Sequence, residues 1–118
     1  METDKLDHGR DLTVNNLTQM TRLEVIVPAR DASAIRELIT TAGATGYTSV
    51  SGVSGIGHHG QHSGALLFNE YDTLTMLITV LPPGKAGELI DAIRELLSTS
   101  SGVMFVADTY VSRPEYFQ

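Results

Sequence analysis

The strongest constraint on this chain is a change of hydrophobic period that happens twice. Leu23, Val25 and Val27 alternate with Arg22, Glu24 and Ile26, the period-two signature of a half-buried strand. Pro28 stops that strand, and Asp31 is placed to cap a helix by accepting from exposed backbone N–H groups. Ile35, Leu38, Ile39 and Ala42 then fall at i, i+3, i+4 and i+7, which makes one apolar stripe on a helix. Gly43 and Gly46 supply left-handed geometry to end it.

The cycle then repeats. Tyr47 to Val53 is β-rich, and Leu74, Met76, Ile78 and Val80 alternate with Thr73, Thr75 and Thr79 in a further strand. Pro82, Pro83 and Gly84 break the chain. Ala86, Leu89, Ile90, Ile93, Leu96 and Leu97 mark one side of a second helix. Ser98 to Gly102 is a short turn, and Val103 to Val111 reads as the last strand. The predicted fold class is α+β: a ferredoxin-like βαββαβ unit, with a four-stranded antiparallel sheet, two helices on one face and a long loop between strands 2 and 3. Ile26, Leu77, Met104, Val106 and Tyr110 put apolar or bulky side chains on both phases of the strands. The face away from the helices is therefore expected to be covered by other copies of the chain in a symmetric oligomer.

Bulk properties narrow the function. The 118 residues suit one domain, with residues 21–118 carrying the pattern and residues 1–20, polar and aperiodic, read as a disordered arm. The net charge of −6 argues against a nucleic-acid binder, which needs a basic stripe, and against docking on anionic membrane. With no Cys, thiolate catalysis and Cys-based zinc sites are excluded. The N-terminal stretch lacks the basic start and apolar middle of a signal peptide, which points to a cytoplasmic protein.

The unusual segment is Ser51 to Gly64, which holds five of the eleven glycines and three of the four histidines. Glycines let backbone N–H groups approach an anion and form a nest. The spacing of Gly52, Gly55 and Gly57 is not that of a dinucleotide fingerprint, and no helix follows it; a Gly-Lys-Ser/Thr phosphate loop is also missing. His58, His59 and His62 invite a metal reading, but a structural site wants four rigidly held ligands, which a glycine-rich loop seldom supplies. Polar contact with an anion through imidazole fits these residues better, and a mobile solvated loop is the plain alternative. Glu70 and Asp72 beside Tyr71 do not form an opposed acid–base pair, so no catalytic residues are assigned and the chain is read as a binding protein, not an enzyme.

At this loop the chain resembles the PII signalling family. Ile35-Arg36-Glu37-Leu38 followed by Gly43-Ala44-Thr45-Gly46-Tyr47-Thr48 resembles that family's first helix and the turn after it. Ser51-Gly52-Val53-Ser54-Gly55-Ile56-Gly57 resembles its entry to the T-loop, here about 54–71, with Ile56 in place of an aromatic residue. Met104-Phe105-Val106 and Asp108 are similar to its last strand. The resemblance implies a homotrimer with adenine nucleotides between subunits. It implies nucleotide contacts at Thr48, Gly55, Ile56, Gly57, His58, Val80, Gly102 and Arg113, although Arg113 reads equally well as an exposed surface charge.

Three departures turn the resemblance away from nitrogen regulation. Val103 stands where those members place a phosphate-binding Lys, and His59 stands where they place a Gln that helps to hold 2-oxoglutarate with metal-bound ATP. The turn Ser98–Gly102 is also short. With the Ser-Arg-Pro-Glu-Tyr-Phe tail, the chain looks most like the carboxysome-associated PII-like proteins. That subgroup implies ADP or AMP in preference to ATP, bicarbonate held near Gly57, His58, His59 and Arg113, no covalent cofactor, and control of inorganic-carbon acquisition through a transporter or carboxysome-related partner. The competing reading is a trimeric ferredoxin-like metal-binding protein that uses the histidines.

Overall fold

A computed structural model describes residues 13–55 and 73–118. The elements, in chain order, are β1 (Thr13–Val14), β2 (Leu17–Pro28), α1 (Ala32–Thr41), β3 (Thr48–Val53), β4 (Leu74–Leu81), α2 (Pro83–Leu97) and β5 (Val103–Val111). Short 3-10 turns lie at Ala29–Asp31 and Pro114–Tyr116. All strand pairings are antiparallel, and the sheet runs β3-β4-β2-β5, with β1 added beside the start of β2. From β2 to β5 this is the expected βαββαβ ferredoxin-like arrangement with both helices on one face.

The core forms where Leu23, Val25 and Val27 of β2 and Leu77 and Leu81 of β4 meet Ile35 and Ile39 of α1 and Ala86, Leu89 and Ile93 of α2. Each helix reaches the sheet through its i, i+3, i+4 or i+7 positions, which the 3.6-residue turn stacks on one side. β4 holds an unexpected phase. Its helix-facing positions are Thr75, Leu77, Thr79 and Leu81, all buried, while the more apolar set Leu74, Met76, Ile78 and Val80 faces away and is half-buried. The register makes this unavoidable, because Leu23 pairs with Thr79 and Val25 with Leu77.

The open face is correspondingly apolar. Val50, Met76, Ile26 and Val103 are register partners across four strands, so they form one continuous row. The next row is Thr48, Ile78, Glu24 and Phe105. Val50, Val103 and Phe105 are 41%, 45% and 55% exposed, which is costly for side chains of this kind. On this face Arg22 and Glu24 form an ion pair at 3.1 Å.

Four local expectations are corrected. Residues 13–20 do not form a free arm: Val14-Asn15-Asn16-Leu17 is a two-residue hairpin, with both asparagines at positive φ, and β2 begins at Leu17. Asn tolerates this region better than most residues, which is why it serves in such turns; residues 1–12 lie outside the described part. Asp31 makes no side-chain cap, because its carboxylate accepts instead from Ser100 Oγ at 2.8 Å. Of the two glycines after α1, Gly43 adopts positive φ and Gly46 does not. Pro83 opens α2 instead of preceding it, since the first helical position has no use for an N–H.

Gly102 shows the closest backbone approach. A Cβ there would lie 2.5 Å from Val27 Cγ1 and 2.7 Å from the Ile26 carbonyl oxygen. Replacing Gly102 by Ala should therefore cost about 1–3 kcal/mol, the range for forcing an extra carbon into packed structure. Urea denaturation at fixed protein concentration checks this, and a variant as stable as the parent would contradict the packing described.

Candidate functional site

The turn after α1 builds one side of a cleft. Gly43 N–H donates to the Thr40 carbonyl and Ala44 N–H to the Ile39 carbonyl, with Gly43 at φ +88°, so the chain turns sharply toward β3. Thr79, buried on the helix side of β4, donates its hydroxyl to the Gly46 carbonyl at 2.7 Å. That bond holds residues 45–48 against residues 78–80. Thr48 then pairs with Ile78 as β3 begins.

The C-terminal segment builds the opposite side. After β5, Arg113 donates to the Tyr116 hydroxyl at 3.2 Å and stands 5.6 Å from the centre of its ring. Tyr116 N–H and Phe117 N–H donate to the Arg113 and Pro114 carbonyls, which winds the segment into a single turn. Thr45 Oγ1 donates to the Tyr116 carbonyl at 2.5 Å, and Lys85 Nζ donates to the Gln118 carbonyl at 3.1 Å. Residues 45–48, residues 78–80, Tyr116 and Phe117 together line an open cleft of about 370 Å³, within the size range of small-molecule sites.

Two of the expected nucleotide contacts, Thr48 and Val80, meet in this cleft, and Arg113 reaches its rim through Tyr116. Gly102 and Gly55 lie elsewhere. Gly102 opens β5, where its N–H donates to Ser100 Oγ at 3.2 Å and Ser100 in turn donates to Asp31. Gly55 follows the end of β3, beyond a bulge at Ser51–Val53 where Gly52 takes φ +75°. β3 and β5 are opposite edges of the sheet, three strand spacings or roughly 14 Å apart. Along β2, the row that holds Val103 is four residues from the row that holds Val80, roughly 13 Å. In one copy of the chain the expected contacts therefore fall into two separated groups. Ile56, Gly57, His58, His59 and His62 lie outside the described residues, as do Glu70, Tyr71 and Asp72.

Thr45, Thr79, Tyr116 and Phe117 were not expected in the site. The Thr45–Tyr116 bond spans 71 residues of sequence, so no local pattern announces it. Among the described residues there is no group of three or more His, Asp or Glu that could hold a metal ion. No described helix is long and apolar enough to cross a membrane.

Fold and cleft define a small ferredoxin-like protein with ligand-sized space at the edge of its sheet. The family model for nitrogen regulatory protein P-II matches residues 20–116, and the chain belongs to that family. It is a PII-like signalling protein, and PII signalling proteins are non-enzymatic regulators. Among solved structures it is similar to CPII, a nitrogen regulatory PII-like protein from Thiomonas intermedia K12 bound to ADP, AMP and bicarbonate. Identity there is 36%, over 88% of this chain and 98% of that one, with a TM-score of 0.74. The same protein bound to ADP, AMP and acetate matches at 34% identity, over 86% of this chain and 96% of that one, with a TM-score of 0.70. Its apo form matches at 33% identity, over 80% and 94% of the two chains, with a TM-score of 0.65. No curated protein matches the chain.

Thr79→Val keeps the shape of the side chain but removes the bond to Gly46. Its expected cost is about 1 kcal/mol, the net worth of one intramolecular hydrogen bond. Urea denaturation measures it, and a variant as stable as the parent would contradict the role given to this bond.

Proposed function

We propose that this chain is a cytoplasmic, homotrimeric sensor of adenine nucleotides, with ADP and AMP favoured and bicarbonate as a second ligand, that regulates inorganic-carbon acquisition through the loop at about 54–71. The observation that carries this reading is the cleft at Thr48 and Val80, in a chain 36% identical to a protein bound to ADP, AMP and bicarbonate.

The separation of the two groups supports assembly. Thr48 and Val80 lie on β3 and β4 and the Gly102 turn lies beside β5, roughly 13 Å away along the strands, so a ligand that touches both groups is better served by two copies than by one. The apolar row Val50-Met76-Ile26-Val103 gives those copies a reason to associate, since covering it removes exposed aliphatic surface from water. In this reading Thr48 and the backbone at Gly55 and Val80 take the adenine and ribose. Gly57, His58 and His59 lie near the phosphates, Gly102 belongs to the short loop that wraps them from one side, and Arg113 supplies a cation.

Bicarbonate is assigned to Gly57, His58, His59 and Arg113. Backbone N–H groups, imidazole and guanidinium are all donors suited to a small planar anion. CPII was determined with acetate as well as with bicarbonate, and both present a planar O–C–O group. Ligands can switch the loop only through unequal affinity for its two states. The ordered state would then engage or release a transporter or carboxysome-related protein.

Titration calorimetry with ADP, AMP and ATP, each with and without bicarbonate, tests the proposal. ADP and AMP should bind, and bicarbonate should tighten ADP by about fivefold or more, the lower end of ordinary coupling between sites. Absence of nucleotide binding under every condition sinks the reading. Sedimentation should give a species of three times the 12.7 kDa chain mass.

A further inference from the structure

The turn that leads into β5 is rich in hydroxyls, yet its protons point inward. Ser98, Thr99 and Ser100 each donate their backbone N–H to a carbonyl in the last turn of α2, at Glu95, Leu96 and Leu97 respectively. Ser98 and Thr99 donate their hydroxyl protons to the same Glu95 and Leu96 carbonyls. Ser100 donates its hydroxyl to the Asp31 carboxylate at 2.8 Å, and Gly102 N–H donates to Ser100 Oγ at 3.2 Å. A serine hydroxyl has one proton and two lone pairs, so Ser100 is left with nothing further to donate. The turn is also pressed against β2 at Gly102, where a Cβ would lie 2.5 Å from Val27 Cγ1. Its donors have little room to swing outward.

The charges agree with the donor pattern. The turn follows the C-terminal end of α2, which is the negative end of the helix dipole. Asp31 adds a full negative charge behind Ser100. A phosphate is held by cations and by converging N–H groups, whereas this turn offers lone pairs and a carboxylate.

We propose that the Asp31–Ser100–Gly102 relay makes this turn a filter against phosphate charge, so that Asp31 and Ser100 set the preference for AMP and ADP over ATP. The proposal rests on the reading that the Gly102 turn lies beside the phosphates of a bound nucleotide, and it adds the residues that limit their number. Neither Asp31 nor Ser100 lines the cleft of Thr48 and Val80. Asp31 is two hydrogen bonds from Gly102 N–H, closer than the screening length of about 8 Å at physiological salt, so each added phosphate feels its charge. Asp31 is a positioning residue as well as a fixed charge, because it directs the Ser100 proton away from the turn.

The test uses the full chain with Asp31→Asn, which keeps an acceptor for Ser100 and removes the charge, and with Ser100→Ala, which frees Gly102 N–H. Calorimetry with AMP, ADP and ATP in magnesium-free buffer gives the ratio of ATP to AMP affinity. A loss of fold common to all ligands leaves that ratio alone. Asp31→Asn should raise the ratio by about three- to tenfold, with ADP between the two, as expected for one charge acting on two further phosphates. The gain should fade at about 1 M salt, where the screening length is about 3 Å. Ser100→Ala should raise the ratio too, by giving the turn a donor. If the parent binds AMP or ADP and the ratio fails to rise in either variant, the filter is overturned while the nucleotide reading stands. A gain for Asp31→Asn that persists undiminished in high salt overturns it as well. If the parent binds no nucleotide, the nucleotide reading fails and the filter fails with it.

Discussion

Strand β2 is hydrogen-bonded on both sides, to β4 over Thr21–Pro28 and to β5 over Thr18–Ile26, and almost everything else is placed by that double pairing. Its odd-numbered residues fix which face the helices cover. Its register with β4 decides that Thr75 and Thr79, not Met76 and Ile78, point into the core. Its register with β5 decides that Gly102 abuts Val27 and that the chain leaves the sheet at the opposite end, where residues 113–118 can reach Thr45. A central strand can impose such order because a slip of one residue would exchange its buried and exposed sets, at the cost of Leu23, Val25 and Val27 together.

The order of elements was legible because period changes are local. Ile35, Leu38 and Ile39 announce a helix without help from distant residues, and Val103–Val111 is a strand with the bounds its sequence suggests. The hairpin at Asn15–Asn16 was written just as locally, but the polar composition around it masked the signal. The fate of Asp31 was not legible, because Ser100 competes for its carboxylate from 69 residues away. The same holds for the cleft. Thr48 and Val80 were named through likeness to a family, whereas Tyr116, Phe117 and the anchoring Thr45 depend on contacts that only the folded chain brings about.

Charge and polarity are distributed with economy. The open face of the sheet is largely aliphatic, and its Arg22–Glu24 pair lies along one strand, so neither charge depends on another element for its partner. The turn at Ser98–Gly102 is organised differently, by a relay from Gly102 N–H to Ser100 Oγ to Asp31. That relay ties the entrance of α1 to the exit of α2, so the two βαβ halves share a polar fastening as well as a core.

Thr79 carries a consequence beyond the bond it makes. A core side chain with a hydroxyl on one end belongs at once to the packed interior and to the carbonyl of Gly46 outside it. Interiors packed like crystals pass small displacements on instead of absorbing them. Exchanges among Ile35, Ile39, Leu89 and Ile93, none of which lines the cleft, can thus shift Thr79 and move the Gly46–Thr48 backbone by fractions of an ångström. The shape of the cleft is open to adjustment from the core beneath it, by substitutions that an inspection of the lining residues would pass over.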